Sequence, residues 1–479
     1  MIVSAEKISL KLFIVLSSIL LLSGFAAIYS SNYFLLAIIP ALLFFYLATV
    51  DFKFVFFLMM FSLPLSIEVQ FAQHLGTDLP TEPLIVGLML VSLFFIFGTK
   101  KFDKNFLKHP LTTLLLVHVF WLFVSMLYSS DMQVSLKFIA AKFWYLGTFF
   151  FLSSLILRTE KSMKTLFICL IAPLVFVVIY TLIRHSMHQF SFHKVNTMMD
   201  PFFRNHVNYA IFIAMAIPFL FFAKSNMQTN SGKLFMWSII GLFFIAVVLS
   251  YTRAAWLSLF AAFGYKYFLR LKSVLPVFVL MTALLVSGIL YMSHDNRYLQ
   301  FAPDPKKTIM HEEFGDHLSS TTKLEDISSA ERVYRWIAGF RMWEANPITG
   351  FGPGNFYNFY KSYTVNKFKT YVSDNPERST VHNYFLLQLV EGGLVGLLIF
   401  ISLSLGIFYY GQKIYQATKD KFDRGLALTI NLGLLIIYIN LMVNDLLEDI
   451  KIGTMFFLFI SLLVNQDLKN RRLLATEKS

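Results

Sequence analysis

His382 opens a run in which a long hydrophilic stretch turns into a strongly apolar one. The order is His382, Asn383, nine residues, Gly393, two residues and Gly396. If a membrane helix starts here, the imidazole lies at the water–lipid boundary, where its ordinary pKa of about 6.5 allows it to accept a proton. The simpler alternative is an interfacial histidine that only caps the helix, and the residue taken alone favours that alternative. A catalytic base needs charged neighbours.

Arginines near the ends of apolar runs are the cationic candidates. Arg253 lies between two such runs, and an arginine at the centre of a membrane helix costs about 2.5–3.5 kcal/mol, less at the interface. It therefore needs a partner or a function, although an arginine near a helix end also reaches lipid phosphates readily. Arg332 and Arg335 share a predicted amphipathic helix, where a solvated charge is the simpler alternative. Arg204 precedes another apolar run.

These residue types predict one kind of chemistry. A guanidinium is planar, stays charged and binds phosphate oxygens in pairs. All of the candidate arginines project to the same predicted face as His382. Cationic groups and a base on the outer leaflet predict a site for an anionic lipid headgroup and a hydroxyl nucleophile.

Glu391 and the glycines beside it lie on the helix that His382 opens. A carboxylate about two turns into a membrane helix is costly unless it is paired or protonated. We therefore expect Glu391 to bond an arginine or a neighbouring backbone group. Gly392, Gly393 and Gly396 permit close helix approach, which is their expected role.

Other patterns exclude alternative chemistry. His185, His188 and His193 have no regular ligand spacing and no nearby carboxylate, so a zinc site is not predicted. The glycine-rich stretch 350–354 does not join a strand to a helix and lacks a following Lys-Ser/Thr, which excludes a nucleotide-binding loop. The acidic turn at 445–449 suggests no chemistry of its own. We expect no metal and no cofactor.

The composition is that of a membrane protein. The chain has 479 residues, of which 57% are hydrophobic and 14% charged, with a mean hydropathy of +0.63; a soluble protein carries roughly 25% charged residues. The apolar runs are continuous rather than alternating, which excludes a spanning β structure. The formal charge of +13 comes mostly from short connectors and is no nucleic-acid footprint. The single cysteine, Cys169, excludes a disulfide framework.

The fold class is therefore an all-α polytopic membrane protein, with about 12–14 transmembrane helices. Lysines and arginines cluster in alternate connectors, and the opposite connectors near residues 30, 75, 131 and 447 hold none. The positive-inside rule then predicts both termini in the cytoplasm. The fourteen candidate spans are 10–29, 33–50, 53–70, 82–98, 110–129, 134–157, 165–183, 206–223, 234–252, 254–270, 273–292, 383–410, 425–445 and 451–466.

Three regions follow from these spans. An N-terminal bundle covers 1–292, a large periplasmic loop covers 293–382, and C-terminal helices with a cytoplasmic tail cover 383–479. The first part of the loop, from Asn296 to Ser329, is polar and predicted to be loosely ordered. A capping-box pattern between a serine and Glu331 predicts that a helix begins there.

That loop helix is predicted to be amphipathic and to lie against the membrane domain. It ends at Asn346-Pro347, and a tight turn follows over 350–355. Its apolar face is predicted to consist of Val333, Trp336, Ile337 and Phe340.

The run at 382–396 resembles the signature of the O-antigen ligase/polymerase superfamily. Segment 252–256 is similar to the family's outer-face arginine segment, 332–356 to a stretch of its large periplasmic loop, and Asn208 with the following run to the opening of an earlier span. The resemblance covers about residues 200–400. Ala254 stands where the family usually has glycine, and 14 spans exceed the usual 12.

The resemblance implies a GT-C-like fold and a metal-independent, inverting glycosyl transfer from an undecaprenyl-diphosphate-linked glycan. His382 would act as general base on the acceptor hydroxyl or position it, and Arg253 and Arg332 would hold the diphosphate. The implied partners are this donor, lipid A–core or another glycan acceptor, and membrane lipids, with no nucleic acid. The implied site faces the periplasm from the bacterial inner membrane. Four further residues are assigned to substrate binding: Arg204, Arg335, Asn383 and Glu391.

Three other functions stay open. Within the superfamily, polymerases of O-antigen or exopolysaccharide and protein O-oligosaccharyltransferases share the donor chemistry, and analogy alone favours a ligase. A non-enzymatic alternative is a polysaccharide exporter. Transporters place ionisable residues near the membrane midplane, whereas the charges here gather at the outer edge, which disfavours export.

Overall fold

The computed structural model describes residues 15, 17–19, 22–25, 28–30, 38–72, 75–98, 103–301, 327–370, 373–375 and 379–476. Within these ranges the longer helices are α1 Ile38–Ser62, α2 Thr81–Gly98, α3 Pro110–Leu127, α4 Met132–Ile156, α5 Glu160–Ser186, α6 His206–Ser225, α7 Asn230–Leu249, α8 Arg253–Arg270, α9 Val274–Ser293, α10 Ile327–Ala345, α11 Tyr384–Ala417, α12 Lys421–Leu441 and α13 Ile450–Thr476. Part of α4, Leu146–Leu152, is π-helical. Strands β1, Ile67–Ala72, and β2, Leu75–Leu79, form an antiparallel hairpin.

The all-α polytopic fold class is confirmed. In the described part of the chain, nine helices are long and apolar enough to cross a membrane: α2 to α7 and α11 to α13. The predicted run 254–270 coincides with α8, but Arg253, Lys266 and Arg270 make that helix more polar than the nine. Most of the predicted span 10–29 lies outside the described residues.

The predicted helix over 53–70 is wrong from residue 63 onwards. Helix α1 has a break at Asp51, whose Oδ1 accepts from the backbone N–H of Lys53 at 3.0 Å and so caps the second half. The helix ends at Ser62, because Pro64 cannot supply a backbone donor. Alternating side chains then favour a strand, and Ile67 lies opposite Leu79 in the hairpin.

Two helices lie at the centre of the bundle. In the most apolar stretch of α13, 89% of the residues are buried, and in α6 78%, against 22% in α2 at the periphery. Helix α11 contacts α3, α10, α12 and α13. The start of α11 is therefore supported from several sides.

Contacts between connectors place them at two ends of the bundle. At one end Lys469 Nζ lies 2.5 Å from Asp423 Oδ2, which joins the end of α13 to the start of α12. At the other end Lys451 Nζ donates to Ser66 O at 3.1 Å. The alternation of the other connectors between the two ends stays a prediction. The side of the membrane that each end faces stays a prediction.

Helix α10 lies where the loop helix was predicted and ends just before Asn346-Pro347, as expected. The predicted capping box is wrong, because α10 begins at Ile327, so Ser328 lies inside the helix, and Glu331 accepts from Ser373 Oγ at 2.5 Å. The predicted face is only partly buried. The fully buried apolar positions recur every fourth residue: Ala330, Tyr334, Ala338 and Met342.

Most of the loop's first part, predicted to be loosely ordered, lies outside the described residues, since 302–326 are not among them. Its beginning differs from the prediction, because His294–Phe301 form a 3-10 helix.

Candidate active site

His382 occupies the position before the N-cap of α11. Its φ is +54°, in the left-handed region that few residues other than glycine adopt. Asn383 then caps the helix, because its Oδ1 accepts from the backbone N–H of Leu386 at 3.0 Å. Its Nδ2 donates to Met442 O at 3.0 Å. These two bonds fix the backbone that carries His382 against the end of α12.

Arg335 reaches His382 from α10. Its Nη1 lies 2.8 Å from His382 Nε2. A guanidinium carries only donors, so Nε2 accepts, the imidazole is neutral and its proton is on Nδ1. Nδ1 lies 4.0 Å from Asp445 Oδ1, and Asp445 also accepts a hydrogen bond from Thr380 Oγ1. His382 is thus held between a cation and a carboxylate.

Burial and two positive charges keep His382 unprotonated. Burial of the imidazole, and then the charges of Arg335 and Arg332, lower the pKa of His382 to about 3. A neutral imidazole can accept a proton, but one with so low a pKa is a weak base. Negative charge placed beside the two arginines would raise the pKa of His382 again.

Both arginines of the loop helix act on His382. Arg335 contacts His382 directly, and it is only 5% exposed. Its Nη2 lies 3.5 Å from Glu331 Oε2. The solvated-charge alternative is therefore excluded for Arg335. Arg332 is partly buried, and its charge acts on His382, so both arginines belong to one site.

Arg204 and Arg253 lie at neighbouring helix starts. Burial raises the pKa of Asp445, and Arg204 is close enough for its charge to oppose that rise. Arg253 begins α8, whose N-cap residue Thr252 donates through Oγ1 to His206 O at 3.4 Å. The segment of Arg253 therefore lies beside the start of α6.

The acidic turn at 445–449 is the main feature that the sequence analysis missed. Lys142 Nζ, on α4, lies 2.7 Å from Glu448 Oε1. Asn208 Nδ2, on α6, donates to Asp449 Oδ2 at 2.6 Å. With Asp445 beside His382, this turn joins α4 and α6 to the site. A lysine inside a predicted span needs a partner, and Lys142 is the sequence signal that an acidic group lies nearby, although it does not say which one.

Helix α11 is broken at Gly393, and the loop docks into the break. Gly393 has φ +67° and ψ −172°, a conformation available essentially to glycine alone. The backbone N–H of Leu394 donates to Pro347 O at 2.8 Å, and that of Phe351 to Val390 O at 2.9 Å. The loop thereby satisfies backbone groups that the break would leave unpaired in a membrane helix.

Glu391 holds the same loop. Its Oε2 accepts from the backbone N–H of Gly354 at 2.8 Å and its Oε1 from that of Phe356 at 3.1 Å. Of the two expected partners, an arginine or a backbone group, these contacts are with the backbone. Gly352, with φ +90°, also donates its backbone N–H to Glu391 O at 3.0 Å. Glu391 therefore positions the loop that follows α10.

Among the described residues, no group of three His, Cys, Asp or Glu side chains could hold a metal ion. His185, one of the three loop histidines, has Nε2 3.0 Å from Ser191 O. That nitrogen therefore donates to a backbone carbonyl, which leaves it no lone pair for a ligand bond.

The fold and the site define a polytopic helical membrane protein with a neutral histidine and a buried arginine beside a docked loop. Residues 238–401 match the model of a family described as O-antigen ligase. This segment includes Arg253, Arg332 and His382, and over it the chain is similar to the O-antigen ligase family. None of the curated proteins matches the chain.

Proposed function

We propose that the protein transfers a glycan from undecaprenyl diphosphate to an acceptor hydroxyl, with lipid A–core as the acceptor. The observation that carries this proposal is the neutral imidazole of His382. Its Nε2 lies 2.8 Å from Arg335 Nη1, and the charge of Arg332 lowers its pKa. Such a group suits a reaction in which a hydroxyl loses a proton while a diphosphate gains charge. The match to the O-antigen ligase family over 238–401 supports the same reaction class.

In the proposed reaction, Nε2 of His382 takes the proton of the acceptor hydroxyl while the hydroxyl oxygen forms a bond to the anomeric carbon. The bond between that carbon and the diphosphate oxygen breaks, and its electron pair stays on the diphosphate. Attack opposite the leaving group inverts the anomeric configuration. Arg332, Arg335 and Arg253 stabilise the added negative charge, and Asp445 stabilises the imidazolium that forms.

The proposed location is the periplasmic face of the bacterial inner membrane, with the loop 293–382 on that side. The arginines supply positive charge that a divalent ion would otherwise provide, so we propose a metal-independent mechanism. Glu391 and Asn383 contribute by holding the loop and the helix start in place.

In vitro transfer with the purified protein and a lipid-diphosphate glycan tests this function. His382→Ala should lower turnover by about a hundredfold to ten-thousandfold, the usual contribution of a general base. The control is His294→Ala, because that side chain is 68% exposed and lies outside the site. Near-native turnover of His382→Ala would overturn the proposal. Offering lipid A–core, a second glycan unit and a peptide as separate acceptors distinguishes ligase, polymerase and protein glycosylation.

A further inference from the structure

The reactive nitrogen of His382 is occupied in this structure. Nε2 has one lone pair, and Arg335 Nη1 donates to it at 2.8 Å. A nitrogen that already accepts a hydrogen bond cannot take the proton of a hydroxyl. The proposed base therefore becomes active only when Arg335 moves.

Arg335 is held loosely apart from that one bond. Its other interactions are long: Nη1 to Thr380 O is 3.3 Å, and Nη2 to Glu331 Oε2 is 3.5 Å. Its Nε is buried and has no hydrogen-bond partner among the described residues. A buried donor without a partner in a native structure calls for an explanation. A guanidinium N–H of this kind can bond an anion.

The carboxylate of Glu331, next to Arg335, also has hydroxyl partners. Glu331 Oε1 accepts from Ser373 Oγ at 2.5 Å and from Thr370 Oγ1. If the guanidinium turned away, Glu331 would keep two hydroxyl partners. Moving Arg335 therefore breaks its bond to His382 and its ion pair with Glu331, while Glu331 stays hydrogen-bonded.

We propose that Arg335 caps Nε2 of His382 until a diphosphate draws the guanidinium away. This inference rests on the proposed function and adds how the base is controlled. Phosphate oxygens offer a guanidinium charge-assisted bonds that are stronger than a bond to a neutral imidazole. Binding of the diphosphate frees the lone pair of His382. Its negative charge also offsets Arg332 and Arg335, which raises the pKa of His382. The donor must therefore bind before the acceptor hydroxyl can be activated.

The experiment measures the reactivity of the nitrogen directly, without glycosyl transfer. Diethyl pyrocarbonate acylates a neutral imidazole at the nitrogen that has a free lone pair. The full-length protein in lipid nanodiscs is treated with it, and mass spectrometry follows the His382 peptide relative to the peptide of exposed His294. In the wild type, inorganic pyrophosphate should raise the rate of acylation at His382 by about tenfold or more. This factor corresponds to the free energy of a lost hydrogen bond to a charged group.

Two variants complete the test. Arg335→Gln removes the charge and the Nη1 donor, so His382 should react at the high rate without pyrophosphate and gain nothing when it is added. Arg341→Gln is the matched control, because Arg341 is exposed on the same helix and should behave as the wild type does. The wild-type comparison with and without pyrophosphate needs no variant and stands even if Arg335→Gln fails to fold.

Two outcomes would overturn the proposal that Arg335 caps His382. One is a wild-type rate that pyrophosphate leaves unchanged. The other is a rate that pyrophosphate lowers in both the wild type and Arg335→Gln, because the anion would then cover His382 rather than move Arg335. Either result leaves the transferase proposal intact. That proposal fails separately, if His382→Ala retains transfer.

Discussion

Replacement of Gly393 by alanine tests whether the docked loop holds the site together. The backbone of Gly393, at φ +67° and ψ −172°, costs other residues about 1–3 kcal/mol. An added Cβ would lie 2.0 Å from Ile348 O and 2.2 Å from Ile348 C. These are backbone atoms, so the contact is relieved only when the loop moves away.

The expected cost follows from the bonds that such a movement breaks. Three backbone hydrogen bonds join the loop to the break, and their donors are Leu394 at 2.8 Å, Phe351 at 2.9 Å and Gly352 at 3.0 Å. At about 0.5–1.5 kcal/mol each, undocking costs about 1.5–4.5 kcal/mol. This is a lower bound, because the freed groups lie in a membrane helix. The alanine destabilises the docked state through its backbone strain of about 1–3 kcal/mol and its contact with Ile348. The undocked population should therefore rise about tenfold, since about 1.4 kcal/mol is a factor of ten.

Limited proteolysis measures this population, because cleavage of a transiently opened segment follows its equilibrium fraction. Trypsin cleavage after Lys361 or Lys367 should be about tenfold faster or more in Gly393→Ala, and glycan transfer should fall. Gly392→Ala is the matched control, since the nearest atom to its added Cβ is Trp121 Nε1 at 3.7 Å. Equal cleavage rates and equal transfer in the two variants would refute the reasoning.

Two further predictions concern the charged groups. Arg253→Lys and Arg332→Lys should each lower transfer, because lysine keeps the charge but loses the planar fork that binds phosphate oxygens in pairs; near-native rates in both would leave the diphosphate without the proposed clamp. Lowering the pH from about 7 to about 5 should lower the unfolding temperature of the wild type more than that of His382→Gln. In this pH range His382 binds a proton in the unfolded protein but stays neutral in the folded protein, so acid favours unfolding. The direction of this change follows from the pKa of His382, which is lowered to about 3 in the folded protein. Equal changes of unfolding temperature in the two proteins would contradict this prediction.

Local sequence patterns predicted the membrane fold. Apolar runs located the nine candidate spans because length and composition alone determine whether a helix can cross a membrane. The boundary at His382 was visible because polarity changes there over a few residues. Glu391 was expected to need a partner, and the backbone partner proved to be the one it has.

What local patterns could not predict are the contacts between distant segments. Arg332 and Arg335 are equally plausible in sequence, and only the packing of α10 on α11 brings Arg335 to His382. The close approach expected at Gly393 involves the loop backbone at Ile348, which a pattern within one helix does not contain. The acidic turn suggested no chemistry because its partners, such as Lys142 and Asn208, lie on other helices.

The burial of α13 has a consequence for how the protein is made. It is the least apolar of the nine candidate spans and the most enclosed. Its Ser461 Oγ donates to Phe150 O at 2.8 Å, and its Asn465 Nδ2 to Ser154 O at 3.1 Å. A helix with such polar groups enters lipid less readily than its neighbours, and it gains those partners only if α4 is already in place. Ribosomal synthesis delivers α4 long before α13, so the central helix arrives in a prepared slot. A chain that lacks α13 would leave Phe150 O and Ser154 O of α4 without these donors.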